Sequence, residues 1–236
     1  MQKFHIVAVA AGFAGLLTSV PAAAVQNVTL TSVGIYNPGH VDATTGGSTK
    51  SEYAVPLTFT AKSTKGVLFD ALGFCVDLTH NIFVGLGSQL ATSLAYHVAP
   101  LRTDGAGHAL SVRQINEIGG LATLGFGIAK GGAVDKAAQL AAIQQAIWTI
   151  EYPASTFVAT GAYLPDQATY AAHFIAQAPT LHGFARTIVA DNGTTQAFIT
   201  NIAGVPEPAI WFEMIAGFAL VGAVARRRRS EVVVAT

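Results

Sequence analysis

Apolar positions along this chain follow two rhythms. Tyr53, Val55, Leu57 and Phe59 alternate with smaller or polar residues, the period of a half-buried strand. Segment 25–36, rich in Val, Thr and Ile, predicts another strand, the run 67–78 that carries Cys75 between Phe74 and Val76 a third, and Leu90, Leu94, Tyr96 and Val98 one more. The stretch 37–51, centred on Thr44-Thr45-Gly46-Gly47, reads as a loop, and 62–66 as a hairpin turn. After Pro100 the spacing becomes helical over 111–124, 135–151 and a shorter 166–178. Gly125, Gly127, Gly131 and Gly132 predict a link between the first two helices, and Tyr152-Pro153 ends the second. Strand patterns return at 185–190 and 195–202. Between them Asp191-Asn192-Gly193-Thr194 predicts a hairpin, because Asn-Gly accepts positive φ at both central positions. Strands therefore flank a helical insertion, an α+β arrangement.

Each end of the chain carries an apolar segment outside this pattern. At the start, Lys3 precedes an apolar run over 6–17 and the small residues Ala22-Ala23-Ala24, so residues 1–24 read as a signal peptide cleaved after Ala24. At the other end, Pro206, Glu207 and Pro208 precede the 17 apolar-rich residues of 209–225, which four arginines follow, Arg226, Arg227, Arg228 and Arg229. As a helix that stretch reaches about 25 Å at about 1.5 Å per residue, just enough for a hydrocarbon core of about 30 Å. Trp211 and Glu213 then sit near one interface, and the arginines hold their end in the cytoplasm. The two prolines keep the outer junction extended and open to a protease.

The tail closely resembles the PEP-CTERM sorting signal of Gram-negative bacteria in Pro206-Glu207-Pro208-Ala209, Trp211, Gly217-Phe218, Gly222 and the closing arginines. It departs from the simplest version in Glu213 and in the extra residues 230–236. The resemblance implies that residues 205–236 are recognised in the inner membrane by an exosortase. The span is then removed, and the rest is delivered to the envelope surface or an exopolysaccharide matrix. An ordinary C-terminal membrane anchor would share this topology without the processing.

Removing both ends changes the charge picture. The full chain is neutral with 13 basic and 13 acidic residues, but 25–204 carries eight basic against ten acidic residues, a net −2. No basic stripe remains, so nucleic acid is not an expected partner. That segment has the length of one domain. Cys75 is the only cysteine of the chain, so no intramolecular disulfide can form even in an oxidising envelope. Its thiol is a buried small hydrophobe, a reactive group, or a group bonded to something other than cysteine.

The 135–151 helix supplies a second unusual residue. At about 100° per residue, Ile150, Ile143, Ile147, Leu140, Gln144, Ala137 and Trp148 share one continuous face, while Gln145 points away. Lys136 and Glu151 fall at the same azimuth, but at helix ends, where a charge reaches water. Gln144 has no such exit. Each of its polar groups needs a hydrogen bond or costs roughly 1–3 kcal/mol. Packed together, Cys75 and Gln144 would be chemically complementary: the thiolate attacks the carboxamide, ammonia leaves, and an internal thioester remains. Taken singly, each residue is better explained as satisfied core, Cys75 as a buried inert thiol and Gln144 as a hydrogen-bonded structural glutamine.

Phe74-Cys75-Val76-Asp77 and Ile143-Gln144-Gln145-Ala146-Ile147-Trp148 resemble, in the same order, the two motifs of the bacterial Cys-Gln thioester domains found on surface adhesins. The resemblance covers roughly residues 53–200, and its specific part is these two motifs. It implies an antiparallel β-sandwich or barrel with an inserted helical subdomain, and a Cys75–Gln144 cross-link between them formed by the first glutamine of the motif. It also implies an amine-bearing partner captured covalently. Well-known members sit on Gram-positive walls, whereas this tail is of the Gram-negative type.

Other constellations carry less. No nucleophile signature surrounds Cys75 that would pair it with His80, His97, His108 or His173 as a hydrolase, and the histidines lack metal-ligand spacing. The loop from Asp104 to His108 lacks the run of oxygen ligands of a calcium site. The glycines of 125–132 follow a helix and carry no phosphate-binding lysine pattern. No enzyme activity, cofactor or metal is therefore expected. The sequence predicts an exported surface protein processed by signal peptidase and exosortase, carrying a thioester for attachment to amines. The alternative is a non-covalent structural component of the envelope or matrix.

Overall fold

Val28, Leu30 and Val33 are buried along the first strand, and a register shift between Leu30 and Ser32 keeps Val33 inward where strict alternation would have turned it out. The computed structural model describes residues 27–35, 39–64, 66–80, 89–161, 163–183 and 186–200. Its strands are β1 (Asn27–Ile35), β2 (Gly39–Thr45), β3 (Ser48–Ala54), β4 (Leu57–Ser63), β5 (Leu68–Cys75), β6 (Gln89–Pro100), β7 (Thr156–Thr160), β8 (Arg186–Ala190) and β9 (Phe198–Thr200). The helices are α1 (Val112–Lys130), α2 (Lys136–Glu151) and α3 (Leu164–Gln177), the last followed by a 3-10 turn over Ala178–Thr180.

Six strands close into a barrel in the order β1-β4-β5-β9-β8-β6, every pair antiparallel. The fold is thus α+β with a barrel, not a sandwich. Leu30, Val33, Phe59, Ala61, Tyr96, Ile188 and Phe198 belong to one buried cluster, with the Phe198 ring 5.6 Å from Phe59 and 6.3 Å from Tyr96. A second cluster joins the helices through Ile118, Leu121, Leu140, Ile143, Ile147 and Phe174. Strand alternation decides which cluster each residue of the shared wall enters. On β5, Cys75 joins the barrel cluster and Phe74 the helical one; on β9, Phe198 and Ile199 divide the same way. The sheet β3-β2-β7 packs on a further side of α2.

Several local expectations change. The expected loop over 37–51 is largely the β2–β3 hairpin, turned by Gly46 and Gly47 at φ 58° and 81°, values that favour glycine. The expected single strand through 53–59 is broken at Val55-Pro56, which separates β3 from β4. Gly125 and Gly127 lie inside α1 rather than in a link, leaving Gly131 and Gly132 to end the helix. Gly125 is a close approach: a Cβ there would run into the Phe74 ring. β7 was not expected from the sequence. Residues 191–197 form a seven-residue connection instead of a tight hairpin, and β8 and β9 pair only at Thr187↔Ile199 and Ile188↔Phe198.

Among the described residues no helix is long and apolar enough to cross a membrane. Ala22 and Ala24, Pro206 to Pro208, the span 209–225 and Arg226 to Arg229 lie outside the described residues.

Candidate functional site

β5 ends at Cys75, two residues past the last rung it shares with β4, Leu57↔Gly73. The antiparallel register would place Val55 opposite Cys75, but Val55-Pro56 has already left the ladder. Gln144 of α2 fills that place. The Cys75 backbone N–H donates to Gln144 Oε1 at 2.8 Å, and Gln144 Nε2 donates to the Cys75 carbonyl at 2.8 Å. A carboxamide offers the same donor and acceptor as a peptide, so the side chain completes the rung and satisfies its own polar groups at once. Gln144 is fully buried and Cys75 nearly so.

The thiol turns along the chain toward Asp77. Cys75 Sγ donates to the Asp77 carbonyl at 3.1 Å, and accepts from Gln196 Nε2 at 2.7 Å and the Asp77 N–H at 3.3 Å. Gln196 Nε2 also reaches the Asp77 carbonyl at 3.0 Å. Burial pushes the thiol well above its ordinary pKa. The Asp77 backbone hydrogen bond and the Trp148 indole pull it down, and the Glu151 and Asp77 carboxylates push it up. Trp148 Nε1 acts on the thiol through its nearness, since it has no partner of normal hydrogen-bond geometry among the described residues. The resting group is therefore a neutral thiol.

Gln144, Trp148 and Glu151 follow one stripe of α2 at helical spacing. Glu151 corrects the sequence reading. It was expected to reach water from the helix end but is 2 % exposed, and neither carboxyl oxygen has a hydrogen-bond partner among the described residues. Burial first, then the Asp104 and Asp77 carboxylates, raise its pKa well above the ordinary 4.5. The next residue, Tyr152, accepts the backbone N–H groups of Leu78 at 3.3 Å and Gly105 at 3.0 Å on its phenol oxygen. Asp77 accepts from Thr79 and from His80, whose Nδ1 is 2.7 Å away, while Asp104 is 2.9 Å from His108 Nδ1. Lys136, at the other end of α2, reaches the Ala129 carbonyl at 3.0 Å.

Gln145 also departs from expectation. It is buried, with Nε2 donating to the Phe157 carbonyl at 2.9 Å and Oε1 accepting from Gln167 at 3.1 Å. The β2-β7 side of the small sheet covers the helix face that the periodicity left to solvent. Of the four histidines weighed beside Cys75, His97 is paired with Asp191, and none hydrogen-bonds the thiol. Among the described residues no group of three or more His, Cys, Asp or Glu side chains could hold a metal ion. Periodicity missed Gln196, which the 195–202 strand pattern covers without singling it out, and the buried state of Glu151.

The Glu151 environment sets a direction for pH dependence. Its folded pKa is raised, so the native state holds a proton that the unfolded chain releases, and stability must fall as pH rises. The contribution is intact below the ordinary carboxylate value and lost as pH climbs through the raised native one. Urea unfolding of the parent and of Glu151→Gln across this range should show the variant gaining on the parent as pH rises. A constant difference would mean that Glu151 is not held protonated.

Comparison with protein-family models, curated proteins and solved structures finds no significant match.

Proposed function

We propose that this chain is an exported envelope or extracellular-matrix surface protein, sorted by an exosortase, whose 25–204 domain carries an internal Cys75–Gln144 thioester for attachment to amine groups on a partner. The observation that carries this reading is the 2.8 Å contact of the Cys75 N–H with Gln144 Oε1, made by the same residue that holds the thiol. Attack of Sγ on Gln144 Cδ places negative charge on Oε1, where that N–H already points, as an oxyanion-hole donor does. The site is buried, so water is kept from the acyl group once formed. Loss of ammonia would cost the Nε2 bond to the Cys75 carbonyl but leave the N–H contact in place. An amine, such as a lysine of the partner, then exchanges the thioester for an amide and releases the thiol. This is one covalent event without turnover, so the reading is not of an enzyme. The export part rests on the signal-peptide pattern and the tail's resemblance to PEP-CTERM signals, with signal peptidase and exosortase as processing partners.

The second reading is a non-covalent structural component of the envelope or matrix. It is favoured by the completeness of the resting bonds: the carboxamide is satisfied by Cys75, and the thiol is directed at Asp77. Intact mass separates the two. Under the first, the folded protein weighs one ammonia less than its sequence and Cys75→Ala restores the full mass; methylamine adds to Gln144 and frees a thiol. An unmodified mass, with Cys75 freely alkylated after unfolding, leaves only the structural reading.

A further inference from the structure

The ladder between β5 and β9 runs on past its last rung. Gly73↔Thr200, Phe74↔Ile199 and Cys75↔Phe198 set the register, and the Val76 N–H donates to the Ala197 carbonyl at 3.2 Å, so Gln196 comes opposite Asp77. Strand alternation then turns Gln196 to the face that holds Cys75 and Phe198. Its backbone is fixed from the other side as well, because the phenol of Tyr96, itself buried, donates to the Gln196 carbonyl at 3.1 Å. The side chain is half-buried and divides its amide between two acceptors: Nε2 lies 2.7 Å from Cys75 Sγ and 3.0 Å from the Asp77 carbonyl. An amide turned the other way would set its oxygen against that carbonyl, so the donor faces sulfur. Gln144, by contrast, is bound to the Cys75 backbone.

Resting on the thioester reading of Cys75 and Gln144, we propose that Gln196 is the hydrogen-bond donor to sulfur in that reaction, both for attack on Gln144 and for departure when an amine arrives. Sulfur carries negative charge as it loses its proton, and an N–H bond to a charged acceptor is stronger than one to a neutral acceptor. The Asp77 N–H, at 3.3 Å, is a second and longer donor. The other Nε2 hydrogen stays on the Asp77 carbonyl, so Gln196 keeps its place while sulfur passes between thiol and thioester. In the forward step the S–H and C–N bonds break, the S–C bond and a new N–H bond form, and the thiol proton leaves with the carboxamide nitrogen as ammonia. In aminolysis the C–N bond forms, the C–S bond breaks, and a proton of the amine ends on sulfur. Both steps place charge on sulfur, so one donor serves both. The Cys75 N–H does the same for Gln144 Oε1, which gives each charged end of the forming bond its own donor.

The test uses the full chain and intact mass. Gln196→Met keeps the length of the side chain and loses the donor. It should form the ammonia-deficient species, and react with methylamine, roughly ten- to a hundredfold more slowly than the parent, both steps falling together. A role in the fold alone predicts the opposite for the second step, because a loosened seam admits methylamine faster. Gln196→Glu, which keeps the shape but turns an acceptor to sulfur, should be slower still in both steps. Parent rates or faster aminolysis in Gln196→Met overturn the proposal and leave the thioester reading standing. A parent that never loses ammonia overturns both. Peptide mapping should place the methylamine adduct at Gln144, whereas an adduct at Gln196 makes that side chain the acyl source and overturns both assignments. If Gln196→Met does not fold, Gln196→Glu decides on the same two rates; failure of both to fold makes Gln196 part of the fold and overturns the proposal.

Discussion

Gln144→Leu is expected to lower unfolding free energy by about 2–6 kcal/mol, roughly 1–3 kcal/mol for each of the two Cys75 backbone groups it leaves unpaired in the core. Leucine nearly matches glutamine in volume, so the loss is chiefly that of the two 2.8 Å bonds. A thioester, where formed, would add its own contribution as a cross-link. The clean comparison is therefore made in a Cys75→Ala background, which keeps the backbone groups and removes the chemistry. Urea unfolding of the double and single variants gives the difference. A loss of under about 0.5 kcal/mol would mean that the rung is not held by this side chain.

Trp148→Ala should cost about 3–5 kcal/mol, the range for removing a buried large aromatic. The side chain is 2 % exposed, belongs to the barrel cluster with Cys75, and stacks on Phe157 at 6.0 Å. It is the element that carries α2 into the end of the barrel. Trp148→Phe should be much milder than its volume change suggests. The indole N–H has no partner among the described residues, so phenylalanine removes a buried unsatisfied donor along with the extra ring. Thermal or urea unfolding of both variants checks the contrast, and equal losses would mean that the N–H makes a bond in solution.

The face of α2 that meets Cys75 was legible because periodicity alone locates an apolar stripe, and a carboxamide within it stands out. What lay behind that helix was not legible. Gln145 and Glu151 were given to solvent because a single helix shows its pattern but not what covers its other sides. Here β2 and β7 cover one and the segments around Asp77 and Asp104 another. β2 and β3 escaped for a related reason. β2 alternates, but its inward positions are only Gly39, Val41 and Ala43, and β3 is exposed along most of its length, so the apolar signal is weak and the Gly46-Gly47 turn read as the middle of a loop. Gly125 read as a breaker, yet it stands inside α1 where only the missing Cβ lets Phe74 approach. In each case the deciding neighbour comes from a distant part of the chain.

Tyr152 draws together segments that the chain keeps apart. Its phenol oxygen takes the amide protons of Leu78, just past β5, and Gly105, in the turn after β6, while the residue itself closes α2. Those two amides share one acceptor, so detaching the last turn of α2 exposes both to solvent in a single event. Their hydrogen-exchange rates should be matched, and a reagent too large to slip past the seam can meet Cys75 no more often than that event occurs.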